Sequence, residues 1–463
     1  MDTRDLEYHL PPERIAVRPV HPRDSARLMV VRRLVPPHAA GDGPLHEALT
    51  IEHRLVRDLP SILRPGDLMI VNATRVLPAR FFGRRVGSGG AVEGLYLGGG
   101  DPPATCSAPL PPRVPFRHWT VLLKGGHLRP GVRIRLTDGT DRPGCLELAL
   151  LDRDARVAGA WTVRVQPIDP LEASGDQPAV LAATLHASPI SQVDPLASRL
   201  LGPESSDAEI LDQFGRTPLP PYIAWARRQL NIAAPDAEDR SLYQTVYAHE
   251  SLDAVQQSRV EDNPAAPAVA SNSVAPGVTD PGASLAGSLA APTAGLHFTP
   301  ELLQSLASVG VERDEVVLHV GLGTFKPVDA DRLEDHPMHA EWCSMSAATI
   351  AGMEARRRAG GRVVAIGTTS VRTLESYAAH LQQAGEVPAW LQTRLLISPG
   401  HAWRWTDALL TNFHLPRSTL MALVAATLST DAALGVARLK QIYEIAIREN
   451  YRFYSFGDAM IIV

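Results

Sequence analysis

The sequence predicts an α/β fold, a mostly parallel sheet flanked by helices, together with a separate strand-rich region. Two observations lead to this prediction. Beyond residue 222, helical segments alternate with short apolar strands, which is typical of βαβ units. Between about 63 and 165, seven short apolar runs are separated by Gly, Pro and Asp turns with little helix. Such spacing favours a small barrel or sandwich.

Each element follows from its pattern, taken in chain order. A strand begins at Leu28, and the strand-rich region has runs at 68–71, 76–82, 92–97, 119–123, 132–136, 146–151 and 161–165. Helical periodicity predicts helices at 223–230, 300–309, 347–358, 371–384, 417–428 and 435–449. Short β-branched or apolar runs between them predict strands at 316–320, 362–366, 393–396 and 408–412.

We therefore expect two domains. An α/β catalytic domain is formed by 1–62 and 166–463, and a strand-rich domain by 63–165. Insertions near 172–212 and 251–289 interrupt the pattern. The second is nearly all Ala, Ser, Pro, Gly, Val and Asp. Because such a composition buries too little apolar surface to offset its ordering entropy, we expect mobile or disordered insertions.

Composition narrows the class of protein. The 463 residues carry a net charge of −5, which gives no overall sign of a nucleic-acid binder, although a local basic face is compatible with it. Three widely spaced cysteines argue against a disulfide framework, a zinc site or an iron–sulfur cluster, and we expect no metal. Neither a signal peptide nor an apolar run of membrane-spanning length is present, so we expect a cytoplasmic protein without membrane contact.

Histidines concentrate between residues 290 and 342. His319 follows a short buried strand and precedes Gly321, and open α/β sheets build their crevices at the carboxyl ends of strands. A single histidine is more often a hydrogen-bonded structural residue. Here His319 lies in a cluster with His297, His336 and His339. The cluster favours a functional role because other polar and charged residues accompany it, namely Thr293, Thr324, Lys326 and Glu341.

Three further segments place polar groups just past a strand. The first two also have a structural alternative, in which the same residues only cap a turn or helix or remain solvated. The first carries Asn72, Thr74, Arg75 and Arg80, whose guanidinium groups suit a phosphate or carboxylate. In the second, Thr368, Thr369 or Ser370 is the N-cap of a helix, whose free N–H groups favour an anion. The third carries Asn412 and His414.

The carboxyl-terminal stretch 449–460 interleaves aromatic rings with Arg452 and Asp458. Rings such as Tyr454 stack on a base or nucleoside in some proteins, although core packing is the commoner role of Phe453 and Phe456.

Taken together, these segments resemble one family, the S-adenosylmethionine:tRNA ribosyltransferase-isomerases of queuosine biosynthesis. The matching segments run in family order across nearly the whole chain. They are Pro22-Arg-Asp-Ser-Ala-Arg-Leu, 63–80, Pro218-Leu-Pro-Pro-Tyr-Ile, Tyr243-Gln-Thr-Val-Tyr-Ala, Ala290-Ala-Pro-Thr-Ala-Gly-Leu-His-Phe-Thr, His319-Val-Gly-Leu-Gly-Thr-Phe-Lys-Pro-Val, His339-Ala-Glu-Trp, Ile366-Gly-Thr-Thr-Ser-Val-Arg-Thr-Leu-Glu, Leu410-Thr-Asn-Phe-His-Leu-Pro-Arg-Ser-Thr-Leu and 451–461. The loops at 36–46, 98–113, 172–212 and 251–289 depart from the family pattern by their length.

The resemblance implies an α/β domain with a small antiparallel β-barrel inserted near 63–165, and a monomer. It also implies a reaction in which S-adenosylmethionine is a co-substrate and no cofactor is needed. Its ribosyl part moves to the aminomethyl group of 7-aminomethyl-7-deazaguanine at the tRNA wobble position. Isomerisation gives epoxyqueuosine, and adenine and methionine leave.

Within this reaction the residues receive hypothetical roles. Acid–base groups are His297, His319, His339 and His414, with Asp67, Glu341 and Asp458 as carboxylate partners. Substrate contacts are expected from Asn72, Arg75, Arg80, Thr293, Thr324, Thr368, Thr369, Ser370, Arg372, Asn412 and Tyr454. RNA contacts are expected from Lys124, Lys326 and Arg452, and Arg75 and Arg80 are alternatives for the same role.

Two other functions remain as alternatives. An S-adenosylmethionine-dependent RNA methyltransferase would use the same co-substrate, but the chain lacks an amino-terminal Gly-rich strand–turn–helix with a downstream acidic residue. A non-catalytic RNA-binding protein would be expected to carry a basic stripe, and the sequence has none.

Overall fold

A computed structural model describes residues 1–34, 49–100, 116–138, 142–155, 157–168, 194–233, 235–248, 287–321 and 328–463. The chain divides into two compact units. The first comprises Met1–Val76, Leu219–Pro281 and Ala290–Val463, and the second comprises Leu77–Pro218 and Gly282–Leu289.

The strands in chain order are β1 (Arg27–Arg33), β2 (Leu49–Leu55), β3 (Leu68–Asn72), β4 (Arg80–Arg85), β5 (Ala91–Gly99), β6 (Arg117–Lys124), β7 (Arg133–Thr137), β8 (Pro143–Arg153), β9 (Trp161–Pro167), β10 (Gly215–Arg216), β11 (Glu312–Leu318), β12 (Glu341–Ser344), β13 (Val363–Ile366), β14 (Leu391–Thr393), β15 (Ala408–Asn412) and β16 (Ala459–Ile462). The α-helices are Leu59–Ile62, Pro195–Leu200, Asp207–Phe214, Pro221–Gln229, Asp236–Leu242, Pro300–Ser308, Ala347–Arg358, Thr368–Ala384, Thr419–Leu428 and Ala432–Arg448.

The first unit is built on a nine-stranded sheet with the order β14-β12-β11-β3-β13-β15-β16-β1-β2. Its four central strands, β11, β3, β13 and β15, are parallel, and β1 is parallel to β16. The remaining neighbours pair antiparallel. With helices accompanying the parallel strands, the predicted α/β class is confirmed.

The centre of this sheet is covered on both faces. Every residue of β3, β13, β15 and β16 is buried. Successive residues of β3 enter opposite cores, since Leu68 and Ile70 belong to one apolar cluster and Met69 and Val71 to the other. Burial on both faces explains why these strands read as continuous apolar runs without alternation.

Several helices cover the sheet. The helix Thr368–Ala384 buries its first eleven residues, and the helix Thr419–Leu428 has nine buried residues. Among the described helices none is by itself long and apolar enough to cross a membrane. Thr419–Leu428 and Ala432–Arg448 meet the criterion only when taken together, and they are bent by 102°.

The second unit contains the predicted antiparallel β-barrel. Strands β4, β5, β6, β9, β8 and β7 pair in this order, and β4 also pairs with β7, which closes the barrel. The short strand β10 pairs with β4. Inward and outward residues alternate, as in β5, and the inward residues include the fully buried Phe81 and Trp119.

The predicted domain boundary at 62/63 is wrong for the structure, in which the first unit continues to Val76. The run 68–71 belongs to β3, which lies between β11 and β13 in the large sheet and not in the strand-rich domain. This run is apolar throughout, whereas a barrel strand with one face toward solvent alternates apolar and polar residues. The difference distinguishes β3 from the barrel strands.

The insertion predicted near 172–212 is ordered in its second half. Asp194 and Ser206 cap the helices Pro195–Leu200 and Asp207–Phe214 through their side chains. Apolar residues of both helices, such as Leu200 and Phe214, join the barrel core. The second unit also extends past the predicted end at 165 for this reason. Residues 172–193 and 251–286, and the loops at 36–46 and 101–113, lie outside the described residues.

Candidate functional site

The parallel strands bring their carboxyl ends to one edge of the sheet. His319 follows β11, Thr74 follows β3, and Thr368 follows β13. Asn412 is the last residue of β15, and His414 comes two residues later. Because β16 runs antiparallel to β15, its amino end pairs with Asn412 and places the preceding turn at the same edge.

A cavity of about 40 Å³ lies at this edge in the first unit. Six of the predicted site residues line it: Thr293, Thr368, Thr369, Asn412, His414 and Tyr454. Ligand pockets commonly enclose about 300–1,000 Å³. The predicted convergence therefore exists for these six residues, but the cavity among the described residues is too narrow for a nucleoside unless its lining moves.

The helix Thr368–Ala384 directs its amino terminus at the cavity. Gly367 precedes the helix with φ +89° and ψ 156°, a conformation that is essentially restricted to glycine, and it offers no side-chain cap. The first helical turn holds no acidic residue. The N-cap is therefore Gly367 and not Thr368, Thr369 or Ser370, contrary to the prediction. The first N–H groups of the helix have no side-chain cap, and together with the helix dipole they favour an anion.

Thr369 supplies a further polar group there. Its side chain is buried, with 8% exposure, and Oγ1 has no hydrogen-bond partner among the described residues. A buried hydroxyl without a partner is costly, so a ligand that bonds to it recovers that cost. Ser370, by contrast, donates from Oγ to the carbonyl of Ile366 at 2.8 Å and does not line the cavity. The expected substrate contact from Ser370 is therefore replaced by a bond to its own helix.

Asn412 holds two segments of the wall together. Its Oδ1 accepts a hydrogen bond from Thr293 Oγ1 at 2.9 Å, and its Nδ2 donates to the carbonyl of Tyr454 at 3.1 Å. Tyr454 has φ +71°, a strained backbone value for a bulky residue. Strain of this kind accumulates at functional sites.

Two histidines lie at this edge, of which His414 is buried and His319 is half-buried. His414 Nε2 lies 2.8 Å from Thr411 Oγ1, and burial lowers the pKa of His414 to about 3. The ring of His319 stacks on Trp390 with 5.3 Å between ring centroids and lies 3.3 Å from Thr74 Oγ1. Burial lowers the pKa of His319 to about 4. Both rings are therefore neutral at pH 7.

His297 does not line this cavity, contrary to the sequence-based expectation. It borders a smaller cavity of about 10 Å³. Its Nδ1 lies 3.0 Å from the carbonyl of Ala294 and its Nε2 lies 2.9 Å from the carbonyl of Gly457. Burial lowers its pKa, so the neutral ring donates one hydrogen bond at a time. Both nitrogens face the backbone, and His297 therefore supports two segments instead of facing a substrate.

The carboxylates predicted as catalytic partners are engaged elsewhere. Glu341 pairs with Arg372 and accepts from the main-chain N–H of Gly321 at 2.9 Å, which fixes the chain just after His319. Asp458 accepts from the main-chain N–H of Arg452 at 2.8 Å. Both shape the surrounding backbone.

Asp67 is misplaced in the prediction, because it precedes β3 and therefore lies at the opposite edge of the sheet. There it pairs with Arg362 at 2.6 Å. Asn72 lies at the correct edge, but its amide bonds to the main chain of Leu318 and Thr74, so it joins β3 to β11.

The other predicted residues are dispersed. His339 is exposed, Arg75 is half-buried, and Arg452 borders the smaller cavity beside His297. In the second unit, Arg80 pairs with Glu93 at 2.7 Å and Lys124 is exposed at the end of β6. Thr324 and Lys326 lie outside the described residues.

Sequence reasoning missed a tyrosine in the cavity wall. Tyr222 Oη lies 2.5 Å from Ser455 Oγ, and its ring centroid lies 4.8 Å from that of Tyr454. The two rings form an aromatic wall of the kind on which a base stacks. Tyr222 follows three prolines in Pro218-Leu-Pro-Pro, a pattern that signals a helix start and gives no indication of a site.

An open α/β sheet with polar groups, a free helix amino terminus and neutral imidazoles at one strand edge defines an α/β enzyme site for an anionic, partly aromatic ligand. Comparison of the chain with known proteins identifies its family. A family model described as "Queuosine biosynthesis protein" matches residues 3–259 and 283–462, and the chain belongs to this family.

Curated relatives match over at least 90% of their own length. Proteins named S-adenosylmethionine:tRNA ribosyltransferase-isomerase match from Trichormus variabilis, with 38% identity over 99% of this chain and 90% of the relative, and from Symbiobacterium thermophilum, with 37% identity over 100% of both chains. A crystal structure of S-adenosylmethionine tRNA ribosyltransferase from Thermotoga maritima has 25% identity, covers 99% of this chain and 100% of its own, and gives a TM-score of 0.41.

Proposed function

We propose that this protein is an S-adenosylmethionine:tRNA ribosyltransferase-isomerase. It transfers the ribosyl part of S-adenosylmethionine to 7-aminomethyl-7-deazaguanine at the tRNA wobble position and isomerises it, giving epoxyqueuosine-tRNA, adenine and methionine. The relatives that carry this name align with the whole chain, and the cavity at the carboxyl edge of the first unit's sheet has chemistry that suits the co-substrate.

The main structural support for the proposal is the uncapped amino terminus of the helix Thr368–Ala384 at the cavity. S-Adenosylmethionine presents a carboxylate on its methionine part, and this group suits free helical N–H groups beside the unpartnered hydroxyl of Thr369. The rings of Tyr222 and Tyr454 offer faces for a purine or deazapurine. Because the cavity encloses only about 40 Å³, binding requires its lining to open.

The chemistry needs proton transfers and no redox step. The sulfonium acidifies the adjacent ribose carbon, and a neutral imidazole within hydrogen-bond reach removes that proton. His414 in the cavity wall is buried and His319 beside it is half-buried, and both rings are neutral, which is the protonation state that a base requires. Departing adenine takes up a proton, the tRNA amine loses one, and a ribose oxygen then displaces methionine.

The protein is expected to act as a cytoplasmic monomer on tRNA that already carries the deazaguanine precursor. The reaction is tested by incubating the purified protein with S-adenosylmethionine and precursor-modified tRNA, and then digesting the tRNA to nucleosides. One epoxyqueuosine and one free adenine per modified tRNA are expected. A methylated nucleoside without adenine release would instead establish the RNA methyltransferase, and tRNA binding without any product would establish a binding protein.

A further inference from the structure

One end of the barrel in the second unit carries a basic groove of about 490 Å³, here named the barrel groove. It lies between the turn that joins β4 to β5 and the segment that joins β6 to β7. Its charged or titratable lining residues are Arg85, His127, Arg129 and Arg133, and no Asp or Glu contributes to the lining among the described residues.

The charge of this region is one-sided. Residues 117–137 contain five Arg or Lys and no Asp or Glu. Across the β4–β7 pair, Arg84 lies directly opposite Arg135. Like charges in that position repel each other. Arg135 also follows Arg133 by two residues and therefore shares its face of β7. On the other side of Arg135, Glu147 of β8 lies directly opposite and offsets part of this repulsion, and a bound polyanion offsets the remainder.

The arginines of the barrel groove are only partly neutralised by the protein. Arg133 lies 3.4 Å from the buried Glu147. The Nε of Arg85, however, is buried and has no hydrogen-bond partner in the part of the chain that the structure describes. Arg129 is exposed to solvent. A guanidinium presents several N–H donors in a planar fork that matches the oxygens of a phosphate.

We propose that the barrel groove binds the phosphate backbone of RNA and that Arg85 and Arg129 contact adjacent phosphates of the tRNA substrate. This inference rests on the proposed function for the identity of the RNA. Since the whole protein has a net charge of −5, the overall field does not attract RNA, and a local basic surface must supply the attraction. Contacts to phosphates position the RNA and leave base recognition to other residues.

The test measures binding of an unmodified tRNA transcript at several salt concentrations, which requires no turnover. Arg129→Gln and the double variant Arg85→Gln/Arg129→Gln are compared with Arg142→Gln, an exposed arginine just beyond the other end of β7. The double variant should bind about tenfold more weakly. The slope of log K against log salt should become shallower by about one for each lost contact. Arg142→Gln should bind as the wild type does.

The single variant Arg129→Gln replaces only an exposed side chain and is expected to fold. It therefore tests the proposal even if the double variant misfolds. Unchanged tRNA affinity and salt slope in Arg129→Gln and in a folded double variant would overturn the proposal. If inorganic phosphate binds in the barrel groove while the variants still bind tRNA as the wild type does, the proposal is overturned in favour of a small-anion site. Weakened tRNA binding without any ribosyl transfer by the wild type would leave the RNA groove standing and reject the proposed reaction.

Discussion

Thr293 donates a hydrogen bond from Oγ1 to Oδ1 of Asn412 at 2.9 Å, and this bond joins two walls of the cavity that lie 119 residues apart in the chain. The same amide continues to the carbonyl of Tyr454. The shape of the cavity therefore depends on a short polar chain through a single side chain.

Thr293→Val removes this bond while keeping the side-chain shape. Asn412 Oδ1 is then left buried without that partner, and such a loss costs about 1–3 kcal/mol. We expect kcat/KM for S-adenosylmethionine to fall about tenfold or more in steady-state assays of adenine release. Thr293→Ser keeps the hydroxyl and serves as the matched control. Equal activity of the Val and Ser variants would show that the bond is irrelevant to the site.

Thr369→Val separates ligand binding from stability. The hydroxyl has no hydrogen-bond partner among the residues that the structure describes, so its removal should leave the melting temperature unchanged or raise it. The KM for S-adenosylmethionine should rise about tenfold, because the ligand loses one hydrogen bond. Thr369→Ser should behave as the wild type. If the Val variant keeps its KM but melts at a lower temperature, the hydroxyl has a structural role only.

His297→Ala tests the position of a histidine that sequence reasoning placed among the catalytic groups. Because its ring nitrogens face the carbonyls of Ala294 and Gly457, replacement should lower the free energy of unfolding by about 1–3 kcal/mol, measured by urea denaturation. Turnover should fall together with the folded fraction. A variant of normal stability that has lost single-turnover chemistry would return His297 to the catalytic set.

Acidification should destabilise the first unit. Burial holds the pKa of His414 at about 3 and that of His319 at about 4, below the value of about 6.5 for an unfolded histidine. Between these limits the unfolded chain binds more protons, so stability is full above about pH 6.5 and decreases as pH falls toward 4. His414→Gln should flatten this slope in thermal denaturation between pH 7 and 5. The exposed His9→Gln is the control, and equal slopes for the two variants would contradict the assignment.

The sequence was informative where local patterns decide the structure. The position of Thr368, Thr369 and Ser370 just past a predicted strand indicated the helix start that faces the cavity, and the polar residues of the third segment indicated Asn412 and His414 in its wall. The strand-rich spacing predicted the barrel, while the uniform burial that places β3 in the large sheet was overlooked.

The features that the sequence did not predict correctly depend on long-range contacts. His297 reaches Gly457 across 160 residues, and no local pattern contains that contact. Strands β2 and β12 went unpredicted because their pairing depends on neighbours that are distant in the chain. Asp67 looked like a site residue by its proximity to Asn72 in sequence, yet the five residues of β3 carry the two to opposite edges.

The central claim, that S-adenosylmethionine gives up its ribosyl group and keeps its methyl group on departing methionine, is tested most directly with co-substrate labelled separately in the ribose and in the methyl group. After reaction with precursor-modified tRNA, the ribose label should remain in the tRNA and the methyl label should appear in free methionine. Methyl label in the tRNA, with the ribose label still in a soluble nucleoside, would contradict the account.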